Sequence, residues 1–331
     1  MKVTKNQIDA LNLELTMEVA AADYAEIERK KLAERKRNAE FKGFRKGMVP
    51  ASLIQRVYGE QVLIDSVNQV IAGALDDFIK TEGLNILGEP LSSDKQGEVE
   101  WKSGNDFTFV FDMGLSPSFE LEVEKTDTVN RYNITPAAAT VEKMKDNLRK
   151  FKESQKEENI TDEGIAAEVD ENLKRSLASE SEYQFSKDLR QYLVDKAGIE
   201  LPEAFLKRWL IYANSGKVTE EQVEKEFPAF VKDFKWQLVR GYLMKKWDFK
   251  VTEEDLFAAA EGYVRAQYAM YGLSNVPDDM VQEAAHRMLQ DGSQVSRLSE
   301  NVEDQKVLER VKETITVKAK KIGEEKFREL K

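Results

Sequence analysis

The residues best suited to binding chemistry lie between Gly43 and Pro50, in the run Gly-Phe-Arg-Lys-Gly-Met-Val-Pro. The two glycines of this run allow the chain to reverse sharply, so the side chains between them are expected on an exposed turn. Arg45 offers a planar fork that fits a phosphate or a carboxylate, Lys46 adds a mobile positive charge, and Phe44 can anchor an apolar contact. This spacing predicts a loop that docks on a partner.

The charge around this loop points to an anionic partner. From Glu28 to Lys46 the chain has nine lysines and arginines against three glutamates, a net charge of +6, whereas the whole chain carries −11 and the remainder therefore −17. A basic run is often only the solvated face of a helix. Its position beside an exposed turn favours the binding of an anion instead.

A second set of residues suits contact with apolar partners of no fixed shape. Methionine side chains are flexible and tyrosine rings are amphipathic, so both adapt to varied surfaces. The candidates are Tyr263, Tyr268, Met270, Tyr271, Leu273, Met280 and Met288. The large aromatic residues between 205 and 249 recur at spacings of three and four, so each of them is expected in the core between helices.

The sequence contains few residues that could be catalytic or bind a metal. There is no cysteine and His286 is the only histidine, in a helical run where a solvated or capping role is expected. Adjacent carboxylates such as Glu253 and Glu254 diverge by about 100° on a helix and do not form an acid-base couple. The chain also lacks the Gly-x-x-x-x-Gly-Lys-Ser/Thr loop that cradles phosphates. We expect no catalytic residue, no metal site and no cofactor.

The candidate loop needs elements on either side to present it. Asp23 is expected to cap a helix that runs to about Glu40, and Pro50 is expected in the first turn of the next helix. Periodicity predicts a strand at 11–19, a helix at 50–82 with breaks at Gly59 and Gly83, and strands at 97–101 and 107–113. Strand, helices and strands in this order predict an α+β domain over residues 1–114.

The rest of the chain reads as a linker followed by helices. Pro117 lies in an extended run, and Thr135-Pro136 opens a helix that ends near Lys150. From residue 160 onward the pattern is helical, with breaks expected at Gly198, Pro202, Gly216, Pro228, Gly272 and Pro277. The fold class expected is a multidomain, elongated protein, mainly α, with an α+β N-terminal domain, an extended linker and an all-α C-terminal domain with arms.

Composition agrees with an open, intracellular protein. Charged residues make up 34% of the 331 residues and the mean hydropathy is −0.56, so much of each helix must face water. No apolar run approaches 18 residues and no signal-like segment follows Met1, so we expect a cytoplasmic protein without a membrane partner. The absence of cysteine fits a reducing compartment.

The chain resembles bacterial trigger factor, a ribosome-bound chaperone. The matching motifs are Gly-Phe-Arg-Lys-Gly followed by Val-Pro, Arg56-Val57-Tyr58-Gly59, Gly88-Glu89-Pro90, Asp106-Phe107-Thr108 and Ile199-Glu200-Leu201-Pro202. The resemblance implies an ATP-independent chaperone that docks near the exit tunnel of the large ribosomal subunit, on protein and ribosomal RNA, and transiently shields hydrophobic segments of nascent or unfolded polypeptides. The implied ribosome-binding residues are Gly43, Phe44, Arg45, Lys46, Gly47 and Pro50. Met48 stands where the family usually has lysine.

The resemblance also divides the chain. It implies a ribosome-binding domain at 1–114, a linker with the first helix of the C-terminal domain at 115–150, and a substrate-binding domain at 160–331. Relatives commonly carry a peptidyl-prolyl isomerase domain of about 100 residues after such a helix. Residues 151–159 are a short polar connector at that place, with no room for a curved sheet around a proline pocket.

Two other functions remain as alternatives. One is a peptidyl-prolyl cis-trans isomerase, as in full-length relatives, and the other is an RNA-binding regulator that uses the basic helix alone. The basic segment has only Phe41 and Phe44 to stack on bases, and the negative remainder of the chain would repel a long nucleic acid. The sequence leaves open whether the free protein forms a homodimer off the ribosome.

Overall fold

The structure, a computed structural model, describes residues 1–157, 160–273 and 275–330. Its elements in chain order are β1 Lys2–Gln7, β2 Asn12–Val19, α1 Ala21–Asn38, α2 Ala51–Thr81, β3 Ile86–Ser92, β4 Phe107–Leu115, β5 Thr128–Thr135, α3 Ala138–Ser154, α4 Asp162–Ala197, α5 Glu203–Ala213, α6 Glu220–Lys246, α7 Glu253–Met270, α8 Asp278–Met288, α9 Gly292–Thr314, β6 Thr316–Gly323 and α10 Glu324–Arg328. The expected fold class, mainly α with an α+β N-terminal part, is confirmed.

The chain divides into two compact units. The first unit contains Met1–Ser118 and Glu200–Val231, and the second contains Phe119–Ile199 and Lys232–Lys331. No helix in the described part of the chain is long and apolar enough to span a membrane.

The first unit is built on a four-stranded antiparallel sheet in the order β1-β2-β4-β3. The alternation that predicted β2 is confirmed, because every second residue from Leu13 to Val19 is buried. Met17 lies opposite Phe109 in the register of β2 and β4, and both belong to a core cluster that includes Val67 of α2. One face of the sheet is therefore covered by α2.

Two local predictions in this unit are wrong. Gly59 does not break α2, which continues through it to Thr81, since a single glycine costs a helix only about 1 kcal/mol. Residues 97–101 do not form a strand. Beside them the Gln96 side chain takes the place of a strand partner for β4, accepting from the backbone N–H of Val110 at 2.8 Å and donating to the Thr108 carbonyl at 3.2 Å. The helix does end close to the predicted break at Gly83, with Thr81 as its last residue.

Helix α5 packs on the sheet of the first unit, a placement that the sequence did not predict. Trp209 of α5 lies so close to Gly88 that a Cβ on that glycine would be 2.5 Å from the indole nitrogen. Arg208 adds polar contacts to the same strands, donating to Asp112 at 2.7 Å and to the Ser92 carbonyl at 2.8 Å. Residues 200–231 therefore group with the N-terminal unit and not with the rest of the expected 160–331 domain.

The second unit is helical except for one small sheet. The helix expected after Thr135-Pro136 is confirmed as α3, which packs on α4. Strands β5 and β6 form a two-stranded parallel sheet with Thr128 opposite Thr316, an addition to the all-α expectation. This sheet was not predicted from the sequence, because β6 is rich in lysine and its partner strand β5 lies far away in the chain. Of the connector expected at 151–159, the first four residues belong to α3, and residues 158 and 159 lie outside the described part.

Most of the expected breaks in the helical part coincide with helix ends. Gly198, Pro202, Gly272 and Pro277 lie within two residues of the start or end of a helix, and Gly216 lies in the turn three residues after α5. The break predicted at Pro228 is wrong, because this residue lies inside α6. A proline removes one backbone donor from a helix, but the helix continues when packing on both sides of it holds its turns together. Val223 and Phe227 are buried before Pro228, and Trp236 and Val239 are buried after it.

Candidate docking loop and apolar surface

The segment that connects α1 to α2, Ala39–Pro50, is called the docking loop below. Helix α1 begins differently from the prediction, because Asp23 is not its N-cap. The Asp23 carboxylate lies in the first turn and accepts from the backbone N–H of Ala20 at 2.8 Å, closing a capping box from inside the helix. Pro50 directly precedes α2, where its missing N–H costs nothing.

Two successive turns set the path of the docking loop. The N–H of Phe44 donates to the carbonyl of Phe41 at 3.0 Å, and the N–H of Met48 donates to the carbonyl of Arg45 at 2.9 Å. Gly43 and Gly47 have φ values of +93° and +79°, in the left-handed region that side chains disfavour. The loop therefore needs glycine at both positions to reverse twice within a few residues.

A small core holds the base of the docking loop. Ala39 and Val49 are buried against Ile54, so the two ends of the loop meet over α2. The ring of Phe41 packs on Tyr58 in an edge-to-face arrangement with centroids 6.2 Å apart. These contacts fix the loop to the helix hairpin and leave its tip free to face solvent.

The tip of the docking loop presents the residues that the sequence singled out. Phe44 is 44% exposed and Met48 is 73% exposed, unusual values for large apolar side chains. Arg45 and Lys46 are both exposed, and within the described residues the guanidinium of Arg45 makes no ion pair or hydrogen bond. Lys46 makes one long contact, 3.8 Å from Glu40, which an exposed pair gives up easily.

The basic part of α1 extends this positive surface. Arg35, Lys36 and Arg37 form the last turn of the helix, where positive charge also favours the helix dipole. Arg35 is held in place by the Tyr58 ring, with its guanidinium carbon 5.8 Å from the ring centroid. The arrangement is suited to binding a surface with phosphate or carboxylate groups and one apolar recess.

The candidates in the second half fall into two groups. Five of the seven are exposed on the end of α7, the turn after it and the start of α8, and these five are called the apolar surface below: Tyr263, Met270, Tyr271, Leu273 and Met280. Met270 and Tyr271 are 87% and 77% exposed. Tyr268 is half-buried, and Met288 packs against the core between α7, α8 and α9.

Helix α7 is held at its start by a charged cap. The Thr252 hydroxyl accepts from the backbone N–H of Asp255, and the Asp255 carboxylate accepts from the Thr252 N–H at 2.8 Å. The ammonium of Lys306 on α9 donates to the same carboxylate at 2.6 Å. The hydrogen bond from Lys306, with those from Thr252, lowers the pKa of Asp255 to about 2. Through Lys306, this cap connects α7, which carries part of the apolar surface, to α9.

The end of α7 shapes the turn on which the apolar surface is centred. The N–H of Tyr271 and the N–H of Leu273 both donate to the Tyr268 carbonyl, at 3.0 Å each. The chain therefore folds back over the last turn of the helix, and the large side chains on either side of this turn point away from the core formed by Ala260 and Ala285.

The described residues do not form a metal-binding site. The sole histidine, His286, is exposed on α8 with its ring against Phe257, centroids 4.6 Å apart. In the described part of the chain, no three histidine or carboxylate side chains come together as metal ligands would.

Sequence reasoning missed one group of residues. Tyr183, Lys187 and Arg190 share a face of α4 and line a cavity with Lys232 and Trp236 of α6. Their spacing of three and four was a usable signal, but aromatic residues at this spacing usually belong to a core, and which helix faces α4 is set by tertiary packing.

Comparisons with known proteins give consistent matches at both ends of the chain. Residues 1–148 match the family profile described as "Bacterial trigger factor protein (TF)", and residues 181–331 match the profile described as "Probable trigger factor, C-terminal domain". The chain is similar to a trigger factor of Rhodobacter capsulatus, 25% identical over 260 residues, which cover 78% of this chain and 52% of the relative. It is also similar to a trigger factor of Cereibacter sphaeroides, 31% identical over 149 residues, covering 45% of this chain and 33% of the relative.

The aligned part therefore spans between a third and about half of these relatives. Among solved structures, one described as "Promiscuous Substrate Recognition in Folding and Assembly Activities of the Trigger Factor Chaperone" matches with a TM-score of 0.52 and 14% identity. The match covers 94% of this chain and 99% of that one. At this identity the likeness concerns the fold.

Proposed function

We propose, from the premise that this chain belongs to the trigger factor family, that it is an ATP-independent chaperone of the cytoplasm. The docking loop would bind the large ribosomal subunit near the exit tunnel, on protein and ribosomal RNA. The apolar surface would transiently cover hydrophobic segments of nascent or unfolded polypeptides. In this assignment residues 1–114 dock, 115–150 and 151–159 connect, and the described helices within 160–331 carry most of the client contacts.

The geometry of the docking loop is the main observation that supports ribosome binding. Its backbone is set by two turns and a buried base, while Phe44, Arg45 and Lys46 extend into solvent with few competing partners. A preorganised loop loses little conformational entropy on binding, so most of its contact energy contributes to affinity. The positive charge of α1 adds attraction to the phosphates of RNA.

The exposure of the apolar surface supports the chaperone part. Burial of apolar area contributes roughly 25 cal/mol per Å², so that a contact of a few hundred Å² offsets only part of the cost of ordering a flexible client. Binding of this strength is weak and reversible. A client would leave the surface as it buries the same side chains in its own core, and no nucleotide would be needed.

We propose this function without prolyl isomerisation. Between the two family matches lie residues 149–180, and those that the structure describes belong to the end of α3, the link after it and α4. An isomerase pocket needs a curved sheet around an aromatic cavity. We expect that the protein does not accelerate cis-trans exchange of a short proline peptide, and turnover comparable to that of an isomerase in this assay would contradict the assignment.

The docking assignment is tested by co-sedimentation with ribosomes. A triple variant, Phe44→Ala, Arg45→Ala and Lys46→Ala, should bind on the order of 100-fold more weakly, because the apolar anchor and two charged contacts are lost together. Its binding should also depend less on salt, with the slope of log K against log salt flatter by about one unit for each phosphate contact removed.

The matched control removes one exposed tyrosine and two exposed lysines elsewhere in the first unit. The variant Tyr212→Ala, Lys217→Ala and Lys225→Ala changes the same charge and a similar aromatic area, and it should sediment as the wild type does. If both triple variants lose binding equally, net charge and not the docking loop attaches the protein to the ribosome.

A further inference from the structure

A cavity of about 280 Å³ lies between α4 and the second half of α6, within the second unit. Tyr183, Lys187 and Arg190 line it from one face of α4, and Lys232 and Trp236 line it from successive turns of α6. Its volume is near the lower limit for small-molecule pockets. The space therefore suits one side chain with a small polar group attached and not a ligand of nucleotide size.

The lining of this cavity has an apolar part. Trp236 is only 8% exposed and Val194 is buried, so that both form its inner wall. The guanidinium of Arg190 lies 5.6 Å from the centroid of the Trp236 ring and shields that ring from solvent. The exposed ring of Tyr183 stands at the rim, free to close over an apolar group.

The rim of the cavity has unpaired positive charge. Within the described residues the ammonium groups of Lys187 and Lys232 make no ion pair and no hydrogen bond, although both line the cavity. Asp233 is the one carboxylate among the lining residues. In a chain with a formal net charge of −11, two free cations beside one cavity favour the binding of an anion.

Arg190 has one unsatisfied donor. One of its terminal nitrogens binds Asp304 at 2.8 Å, but its Nε is buried and has no hydrogen-bond partner among the described residues. Because this nitrogen has almost no accessible surface, it does not face the cavity, and the positive charge available to an anion there is that of Lys187 and Lys232.

From these observations we propose that the cavity binds a carboxylate together with the apolar side chain beside it. Lys187 and Lys232 hold the carboxylate, and Trp236, Val194 and Tyr183 contact the side chain. This chemistry occurs at the C-terminus of a polypeptide and at an aspartate or glutamate within one. The inference rests on the proposed function, since it names a feature of the polypeptides that the chaperone would bind.

The test measures the affinity of the full chain for short fluorescent peptides by anisotropy at low salt. One peptide ends in Leu-Phe with a free carboxylate, the second is the same peptide with an amidated end, and the third is amidated but has glutamate beside the phenylalanine. The free-carboxylate peptide should bind about tenfold more tightly than its amide, as expected for two partly exposed charge contacts. Comparison with the third peptide shows whether a C-terminal carboxylate or a glutamate side chain is preferred. Tighter binding of the first or the third peptide than of the amidated second peptide supports the proposal.

Variants of the lining residues decide whether this preference arises in the cavity. Lys187→Ala with Lys232→Ala should bind the first two peptides equally, whereas Asp233→Asn should widen the preference by removing a like charge. The control, Lys174→Ala with Lys245→Ala, removes exposed cations from the same two helices outside the cavity and should keep the preference. Equal binding by the wild type, or a preference that survives loss of Lys187 and Lys232, would overturn the proposal.

Parallel assays separate this inference from the proposed function. Ribosome co-sedimentation and suppression of client aggregation are measured on the same wild-type preparation. If both are normal and no carboxylate preference is found, only the cavity assignment fails. If both are absent while the carboxylate preference and its dependence on Lys187 and Lys232 are present, the cavity assignment stands and the chaperone function fails.

Discussion

The docking loop and the apolar surface expose large side chains by opposite means. In the loop, Gly43 and Gly47 fix the backbone and a buried base formed by Ala39 and Val49 holds it to the helices. At the apolar surface the side chains extend from the end of a helix and the turn after it, and methionine and tyrosine supply most of the area.

This difference indicates two kinds of partner. A fixed loop with two cations and one ring selects a surface of defined shape and charge, because its conformational entropy is already lost before binding. Flexible methionines on a helix end can adapt to many apolar sequences. The first arrangement suits a single docking site on a large assembly, and the second suits clients that share only their hydrophobicity.

After the docking-loop triple variant, the largest expected effect comes from changing most of the apolar surface. Replacing Tyr263, Met270, Tyr271 and Leu273 together by serine should weaken suppression of client aggregation by about tenfold, because several exposed apolar side chains that act as one patch are lost. Ribosome binding should not change. Light scattering of a chemically denatured client diluted into the protein gives the measurement.

The control for this variant removes exposed apolar side chains that are scattered. Ile8→Ser, Val57→Ser, Phe151→Ser and Tyr212→Ser change four large side chains that are each at least half exposed and lie on separate parts of the chain. Suppression of aggregation should persist in this variant. An equal loss in both variants would mean that general surface hydrophobicity, and not the apolar surface, holds clients.

A smaller effect is expected from changing only the backbone of the docking loop. Gly43→Ala with Gly47→Ala keeps every binding side chain but places alanine at φ values of +93° and +79°. The strain of roughly 1 kcal/mol at each position should distort the turns and weaken ribosome binding about fivefold to tenfold. Gly97→Ala is the control, since that glycine has open space around it and no positive φ. Unchanged binding of the double variant would show that the loop acts as a flexible charged tether.

Adding a charge to the docking loop should have an effect of the opposite sign. Met48 is exposed on the loop, so Met48→Lys adds a cation without disturbing the core. Ribosome affinity should rise by about twofold to threefold at low salt, and the salt slope should steepen by about one unit if the new charge meets a phosphate. Ile8→Lys adds the same charge at an exposed position outside the loop, and an equal gain there would assign the effect to net charge.

The smallest effect concerns pH and the support of the apolar surface. Because the pKa of Asp255 is lowered from 3.8 to about 2 in the folded protein, its charged form stabilises the cap of α7 above about pH 4, and this stabilisation is lost as the pH falls toward 2. Asp255→Asn should therefore lower the melting temperature at pH 6. The difference from the wild type should disappear near pH 2, and a difference that is constant across this range would show that the Lys306 contact does not stabilise the fold.

The sequence predicted the docking loop better than the surroundings of either region. Glycine spacing, local charge and helical periodicity are properties of short segments, so the exposed turn, β2 and α3 could all be predicted from nearby residues. Pairing between segments that are distant in the chain could not be predicted from nearby residues. Strand β6 joins β5 across most of the second unit, and α5 packs on the sheet through the fit of Trp209 against Gly88.

The candidate sites follow the same rule. That Tyr268 and Met288 are more buried than Met270 and Tyr271 depends on which face of α7 and α8 meets α9, and the composition of those helices does not determine this. The cavity beside Trp236 forms between α4 and α6, which are separated in the chain by α5. Local patterns therefore identified side chains fit for binding, whereas packing decides which of them reach solvent.

The division of labour between the two regions is tested most directly by measuring both activities on both variants. The docking-loop triple variant and the apolar-surface variant are each assayed for ribosome co-sedimentation and for suppression of client aggregation, with circular dichroism to verify folding. Each variant should lose one activity and keep the other. If either folded variant loses both activities, or if the docking-loop variant sediments with ribosomes as the wild type does, the two regions do not have the separate functions assigned to them.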